Sequence, residues 1–241
     1  DVMAVPASGD PAVAVIDCGE PGRRVEEIAC DVLVVGGGTG GIAAALAAAR
    51  AIPQGRGGGW RVCLLEETDW IGGQLTAQGV SALDEHEHIE RFGGTRSYYA
   101  LREGIRDHYR RLSPILAAQE HPNPGSCWVT RLAFEPRVAV DVLLAMAAPH
   151  VDAGGLRILT RTKAARVDVA GDRIAAVLAV RLDDRRWIRI VPRVVIDATE
   201  LCDVLPLAGV EYVVGAESRA ETGEPHAQPV APNARCVQSF T

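Results

Sequence analysis

Three glycines and a glutamate carry the clearest chemistry in the sequence. Gly36, Gly38 and Gly41 stand in Asp31-Val-Leu-Val-Val-Gly-Gly-Gly-Thr-Gly-Gly41, and Glu66 closes Arg61-Val-Cys-Leu-Leu-Glu66, 25 positions after Gly41. The first stretch has the spacing G-x-G-x-x-G. It follows an apolar run and precedes Gly41-Ile-Ala-Ala-Ala-Leu-Ala-Ala-Ala-Arg50, a run of strong helix formers. Gly36 permits a tight turn, Gly38 lets backbone approach a pyrophosphate, and Gly41 lets the helix pack close to the strand. The helix start then offers N–H groups and a positive dipole end to phosphates. A carboxylate at 66 accepts hydrogen bonds from ribose hydroxyls and repels a phosphate on that ribose, so a 2′-phosphorylated nucleotide is disfavoured.

Other candidates are weaker. His86 and His88, in Asp84-Glu-His-Glu-His88, are of the type that serves as a general base near neutral pH. The plainer reading is two solvated loop histidines. His-x-His supplies two metal ligands without a third, and no cysteine or histidine spacing suits zinc, so no metal is expected. Arg96, Tyr98 and Arg102 open a helical stretch and could hold an anionic or hydroxylated substrate, against the alternative of an ordinary surface face. Trp70 and Trp128 could wall a ligand, although a buried tryptophan is the default. His226 and Cys236 fall in an irregular tail with no supporting context.

These residues need elements to position them. The apolar runs near 31–35 and 61–65 read as two strands joined through the helix after Gly41, and 51–59 is a glycine-rich loop between them. Tyr98, Leu101, Ile105, Tyr109 and Leu112 recur at helical spacing over 95–112 and read as a packed face. Pro136 opens a second helix that runs to about Ala148, with Pro149 and Gly154 as its stop. The texture then changes. Short strands are expected at 156–160, 164–170, 173–182, 186–191 and 193–197, with turns at Gly171-Asp172 and Asp183-Asp184. The second to fourth make an antiparallel meander, and Val194-Val195-Ile196 in the last suits a buried parallel strand.

With 241 residues, 48% of them apolar, the chain can bury a sizeable core. Its net charge of −6 comes without a basic run, which speaks against nucleic acid or an anionic membrane as partner. No uninterrupted apolar window reaches membrane-spanning length. The six cysteines are scattered, and Cys30 and Cys63 read as small apolar residues in strands. A start at Asp1 and a polar lead-in over 1–30 fit an exported chain whose signal has been removed, or a cytoplasmic chain trimmed at its start, with export the favoured of the two.

Three ordered motifs together resemble the FAD-dependent oxidoreductases of the glutathione-reductase-like, two-domain flavoprotein group. They are residues 36–41; Glu66 with Ile71-Gly72-Gly73-Gln74-Leu75-Thr76; and Val195-Ile-Asp-Ala-Thr-Glu-Leu-Cys-Asp203 leading to Leu207-Ala208-Gly209. The resemblance implies an α/β fold: a Rossmann-like FAD-binding domain whose parallel sheet has a β-meander crossover, with part of a substrate or cap domain. It implies FAD as cofactor. Gly36, Gly38, Thr39 and Gly41 would line the pyrophosphate and Glu66 the adenosine ribose, with Gly40 and Glu67 also among the cofactor-binding residues. Gly72, Gly73, Gln74 and Thr76 would run toward the flavin. Lys163 and Ala164 would meet the adenine, and Ala198, Thr199 and Asp203 would close over the cofactor again. Glu200 departs from the pattern, since the family carries glycine there.

The implied organisation is an extension at 1–30, a discontinuous FAD-binding domain at 31–80 and 151–210, a helical insertion at 81–150 and the start of a substrate domain at 211–241. Members of the group are longer, so a C-terminal half, as a second chain, is an expected partner beside a small-molecule substrate. The expected activity is a dehydrogenase or oxidase that takes a hydride from that substrate onto flavin. The alternatives are an NAD-dependent Rossmann dehydrogenase, which would have helical crossovers throughout, and a non-catalytic flavin-holding or electron-transfer subunit.

Overall fold

The computed structural model describes residues 2–3, 15–22, 25–52, 60–212 and 217–227. Val2–Met3 (β1) and Val15–Ile16 (β2) form a short antiparallel ladder apart from the main sheet. The main sheet begins with Glu26–Val35 (β3), five residues ahead of the start expected at Asp31. Glu26 and Glu27 disguise the strand in the sequence. Their side chains stay exposed and reach Arg157 and Arg189, while Ile28 and Cys30 turn into the core.

Helix α1 (Thr39–Ala51) follows the glycine corner and buries Ile42, Ala45, Leu46 and Ala49, one helical face. Trp60–Leu65 (β4) returns parallel to β3. Most of the expected glycine-rich loop, residues 53–59, lies outside the described residues. Helix α2 (Arg96–Leu112) starts where Thr95 Oγ1 accepts a hydrogen bond from Tyr98 N, and a short turn of helix, Pro114–Ala117 (α3), follows it. Helix α4 (Pro136–Asp152) has the expected proline in its first turn, but it runs through Pro149 instead of stopping there. Pro149 sits in the last turn, where the missing N–H removes a single hydrogen bond.

Leu156–Leu159 (β5), Thr162–Ala170 (β6), Arg173–Arg181 (β7) and Trp187–Asp197 (β8) complete the sheet, with the order β5-β4-β3-β8-β7-β6. The strands expected at 186–191 and 193–197 are thus one. β8 pairs along its length in parallel with β3, and its first half pairs antiparallel with β7. Pro192 does not interrupt it because pairing with β7 ends at Ile190, so one flank of the strand is already open at the proline.

The expected meander is β6-β7-β8. Thr160 and Arg161 alone separate β5 from β6, although these strands are opposite ends of the sheet order. So short a link requires the meander to fold over one face of the parallel strands. Arg161 makes the bend with a left-handed φ of 50°. Two cores result. On one face α1, α2 and α4 pack Ile42, Leu46, Leu101, Ile105, Leu143 and Ala147 against Val34, Val62 and Leu64. On the other, Ala164, Val177, Ala179 and Ile190 of the meander cover Leu33, Val35, Cys63 and Leu65. Among the described residues no helix is long and apolar enough to cross a membrane.

Candidate functional site

The C-terminal ends of β3, β4 and β8 open onto a groove of about 590 Å³. Its floor is the glycine corner. Gly36 takes a φ of +97°, and a Cβ there would stand 2.4 Å from the carbonyl oxygen of Ala198. A Cβ on Gly41 would stand 1.9 Å from the carbonyl oxygen of Gly36. Neither position admits a side chain. Gly38 is the N-cap residue of α1 and offers no side-chain cap, so the first N–H groups of the helix have no intrahelical acceptor.

Glu66 lies at the tip of β4, 7% exposed, and braces the corner. Its Oε2 accepts from Gly37 N at 2.9 Å and its Oε1 from Thr68 N at 2.7 Å. Each oxygen keeps a lone pair for a further donor. Ala198 N donates to Val35 O at 2.8 Å, tying the end of β8 to the end of β3. Asp197 then holds the following turn. Its Oδ1 accepts from Thr199 N and Oγ1, and its Oδ2 accepts from Val204 N, at the start of a short helix, Val204–Leu207 (α5). Thr199, Glu200, Leu201, Asp203, Pro206 and Leu207 form that wall. Glu67, Thr68 and residues 162–165 complete the lining, with the Lys163 ammonium bonded to Glu67.

The Gly-Gly-Gln segment docks directly on the corner. Gly72 N donates to Gly37 O at 2.8 Å, and Thr39 Oγ1 donates to Gly72 O at 2.9 Å. Gly72 and Gly73 take φ values of +111° and +55°, which two consecutive side-chain-bearing residues would strain. The 3₁₀ turn Gly73–Leu75 then rotates the chain. Gln74 faces solvent, while Thr76, 1% exposed, turns inward and its Oγ1 donates to Ile71 O at 2.8 Å. Ala77 and Gln78 line the groove instead, beside Gly73. Sequence spacing does not reveal Gln78, because the 3₁₀ turn shifts which residues of the segment face inward.

The groove thus gathers Gly36, Gly38, Glu66, Glu67, Gly73, Lys163, Ala164, Ala198, Thr199 and Asp203. Thr39 and Gly72 support it from behind through their mutual hydrogen bond. Gly40 has open space around its Cα. His86 and His88 lie elsewhere, on a second cavity of about 820 Å³ that shares no lining residue with the groove. There both rings are exposed and stack near Phe92. Trp128 also lines this cavity and is 93% exposed, contrary to the buried position expected of a tryptophan. Trp70 is half-buried, with the Arg137 guanidinium over its ring. His226 is exposed, Cys236 lies outside the described residues, and no three described His, Cys, Asp or Glu residues gather to hold a metal ion.

Arg96 is exposed, but Tyr98 and Arg102 belong to a buried ionic network beneath the second cavity. Arg102, 1% exposed, binds Glu85 and Glu90 through separate guanidinium nitrogens. Arg106, 2% exposed, binds both oxygens of Glu90 and the carbonyl oxygen of Pro122. Tyr98 OH donates to Glu85 at 2.6 Å. Burial, then that carboxylate, push the Tyr98 hydroxyl well above its ordinary value and keep it a donor. The face read as a plain apolar stripe therefore carries two arginines inward, and Leu112, its last expected member, is exposed.

Partial burial raises the Glu90 carboxyl, but the bond to Arg106 and the charges of Arg102, Arg106 and His121 outweigh it and hold the group below its ordinary value of 4.5. The folded state then binds this proton less readily than the unfolded chain. Its stabilisation is complete above that ordinary value and is lost as pH falls through the lower folded one. A Glu90→Gln variant is expected to show a flatter fall of Tm between pH 5 and pH 3 than the parent. Parallel acid limbs in a thermal-melt series would refute this.

A search of curated proteins found no match. Among solved structures, the chain is similar to L-proline dehydrogenase from P. horikoshii, at 19% identity and a TM-score of 0.38 over 81% of this chain and 25% of that one. It is similar to THI4 of Thermovibrio ammonificans at 15% and 0.45, over 87% of this chain and 80% of that one. It is also similar to the glycerol-3-phosphate dehydrogenase of Bacillus halodurans complexed with FAD, at 16% and 0.44, over 73% of this chain and 35% of that one. The chain therefore spans a quarter to a third of the length of the two dehydrogenases. A family model described as FAD dependent oxidoreductase matches residues 31–240, across the glycine corner, Glu66, the Gly-Gly-Gln turn and the wall at 198–203. The chain belongs to the FAD dependent oxidoreductase family.

Proposed function

We propose that this chain forms the FAD-holding part of an enzyme that moves a hydride equivalent from a small organic substrate onto flavin. The carrying observation is the glycine corner joined to Glu66. It presents bare helix N–H groups beside a carboxylate, with backbone so close that a Cβ at Gly36 or Gly41 would collide. That pairing suits the two ends of an ADP moiety.

FAD is the cofactor of the family, and when bound it supplies the two-electron acceptor. The chain's own residues bind and orient. The start of α1, with Gly36 and Gly38, holds the pyrophosphate, and Glu66 holds the ribose hydroxyls. Residues 162–165 border the adenine. Gly73, Gln78, Ala198 and Thr199 line the path toward the flavin. Further polypeptide, as a second chain or a continuation, completes the cleft and carries the substrate-contacting groups. The 75% exposed Leu201 on the groove wall is a residue such a segment would cover.

The β6-β7-β8 meander stands where an NAD-dependent Rossmann enzyme would have a helical crossover. The test is a visible spectrum of the purified protein, the mass of the nucleotide released on denaturation, and the masses of all polypeptides present. A flavin spectrum and the mass of FAD are expected. Anaerobic bleaching by a small molecule supports an enzyme, whereas reduction by a partner protein alone would indicate an electron carrier. Retention of no adenine dinucleotide would end this reading.

A further inference from the structure

One side chain of the groove works against the ligand that the rest is built for. Glu200 is exposed at the groove wall, and its Oε1 accepts a hydrogen bond from Gln78 Nε2 at 3.0 Å. That oxygen would stand 3.2 Å from a Cβ at Gly38 and 3.4 Å from one at Gly73. The carboxylate therefore lies over the N-cap of α1 and over the turn docked against it. α1 has 13 residues, no acidic residue in its first turn and no side-chain cap, so its start draws negative charge. The groove lining already contains Glu66, Glu67 and Asp203, and Lys163, the one cation among its described residues, is bonded to Glu67.

Resting on the reading of this groove as the FAD site, we propose that Glu200 is a specificity-determining residue whose carboxylate stands beside the anion seat at the start of α1. A pyrophosphate at the seat would meet the Glu200 carboxylate at close range and would compete with it for Gln78 Nε2. Glu200 then weakens ligands in proportion to the phosphate charge they bring to the seat, and it is indifferent to the adenosine end, which Glu66 holds from the other side of the corner. A dinucleotide with many contacts tolerates this cost, while inorganic phosphate and short phosphorylated metabolites are rejected. Glu200 is exposed, so its replacement leaves the packing of the fold untouched.

The test is calorimetric titration of the full protein, freed of bound nucleotide, with FAD, ADP and adenosine. Glu200→Gly is expected to tighten FAD and ADP about tenfold, as relief of one partly screened repulsion would. Glu200→Gln should give part of that gain, because it removes the charge and keeps the bulk. Adenosine binding should stay within a factor of about two across the series, and adding Gln78→Leu to Glu200→Gly should reverse much of the gain for FAD. Equal FAD affinity in the parent and Glu200→Gly, or a gain shared by adenosine, would overturn the role of Glu200 and leave the flavin reading standing. Failure of every protein in the series to bind FAD or ADP would overturn both.

Discussion

Arg102→Ala is expected to lower folding stability by about 3–5 kcal/mol, the usual consequence of removing one partner from a buried charge pair. The size follows from what stays behind. Glu85 has a side chain 2% exposed, and Arg102 is the guanidinium that neutralises it. Without Arg102, Glu85 keeps Tyr98 and a weak contact from Thr130 at 3.4 Å, neither of which carries charge. Arg102 also links Glu85 to Glu90, so its loss loosens Arg106 as well. Lysine should not rescue it, because a single ammonium cannot reach two carboxylates as the guanidinium fork does. Arg102 Nε is buried without a hydrogen-bond partner, a sign that the network is held by its terminal nitrogens. Denaturant melts of Arg102→Ala and Arg102→Lys decide the matter, and a loss below about 1 kcal/mol, as for an exposed pair, would contradict it.

Gly41→Ala is expected to be nearly as damaging, and to abolish flavin retention. A methyl group 1.9 Å from Gly36 O has no flexible side chain to displace, so α1 must move away from β3 and carry its N-terminal N–H groups, the proposed phosphate donors, with it. Gly40→Ala, one residue earlier, is the control. Its Cβ meets nothing within 4 Å, and alanine is the better helix former by roughly 1 kcal/mol. Gly40→Ala should therefore be no less stable than the parent, while Gly41→Ala should lose several degrees of Tm and all bound flavin. Equal melting and equal flavin content in the two variants would show that the close approach at Gly41 is not what shapes the corner.

Sequence made the placement of the glycine corner and of Glu66 legible because their geometry is local. A turn, a helix start and a strand tip are written within a few residues of each other. The meander was legible for the same reason, with Gly171-Asp172 and Asp183-Asp184 marking its turns. What escaped depends on contacts between distant segments. Arg102 and Arg106 sit on and beside the apolar stripe of their helix, where a guanidinium has no place without partners that the helix itself does not supply. Only the return of Glu85 and Glu90 from the preceding loop draws them inward. Pro192 suggests a break between two strands, and only the departure of β7 after Ile190 explains why none occurs. Gln78 enters the groove because a 3₁₀ turn withdraws Gln74 and Thr76, a rotation that no residue type announces.

The pairing of β3 with β8 also sets an order of events during synthesis. Residues 26–35 find their parallel neighbour in 188–197, so the central strand waits for some 160 further residues before its second flank closes. At ribosomal rates of about 5–20 residues per second, that interval lasts roughly 8–30 s. Throughout it, an apolar edge and a half-made groove stand open on the nascent chain. Chaperone dependence and proteolytic loss should concentrate in that window, and a polypeptide cut anywhere before Asp197 inherits the vulnerability permanently.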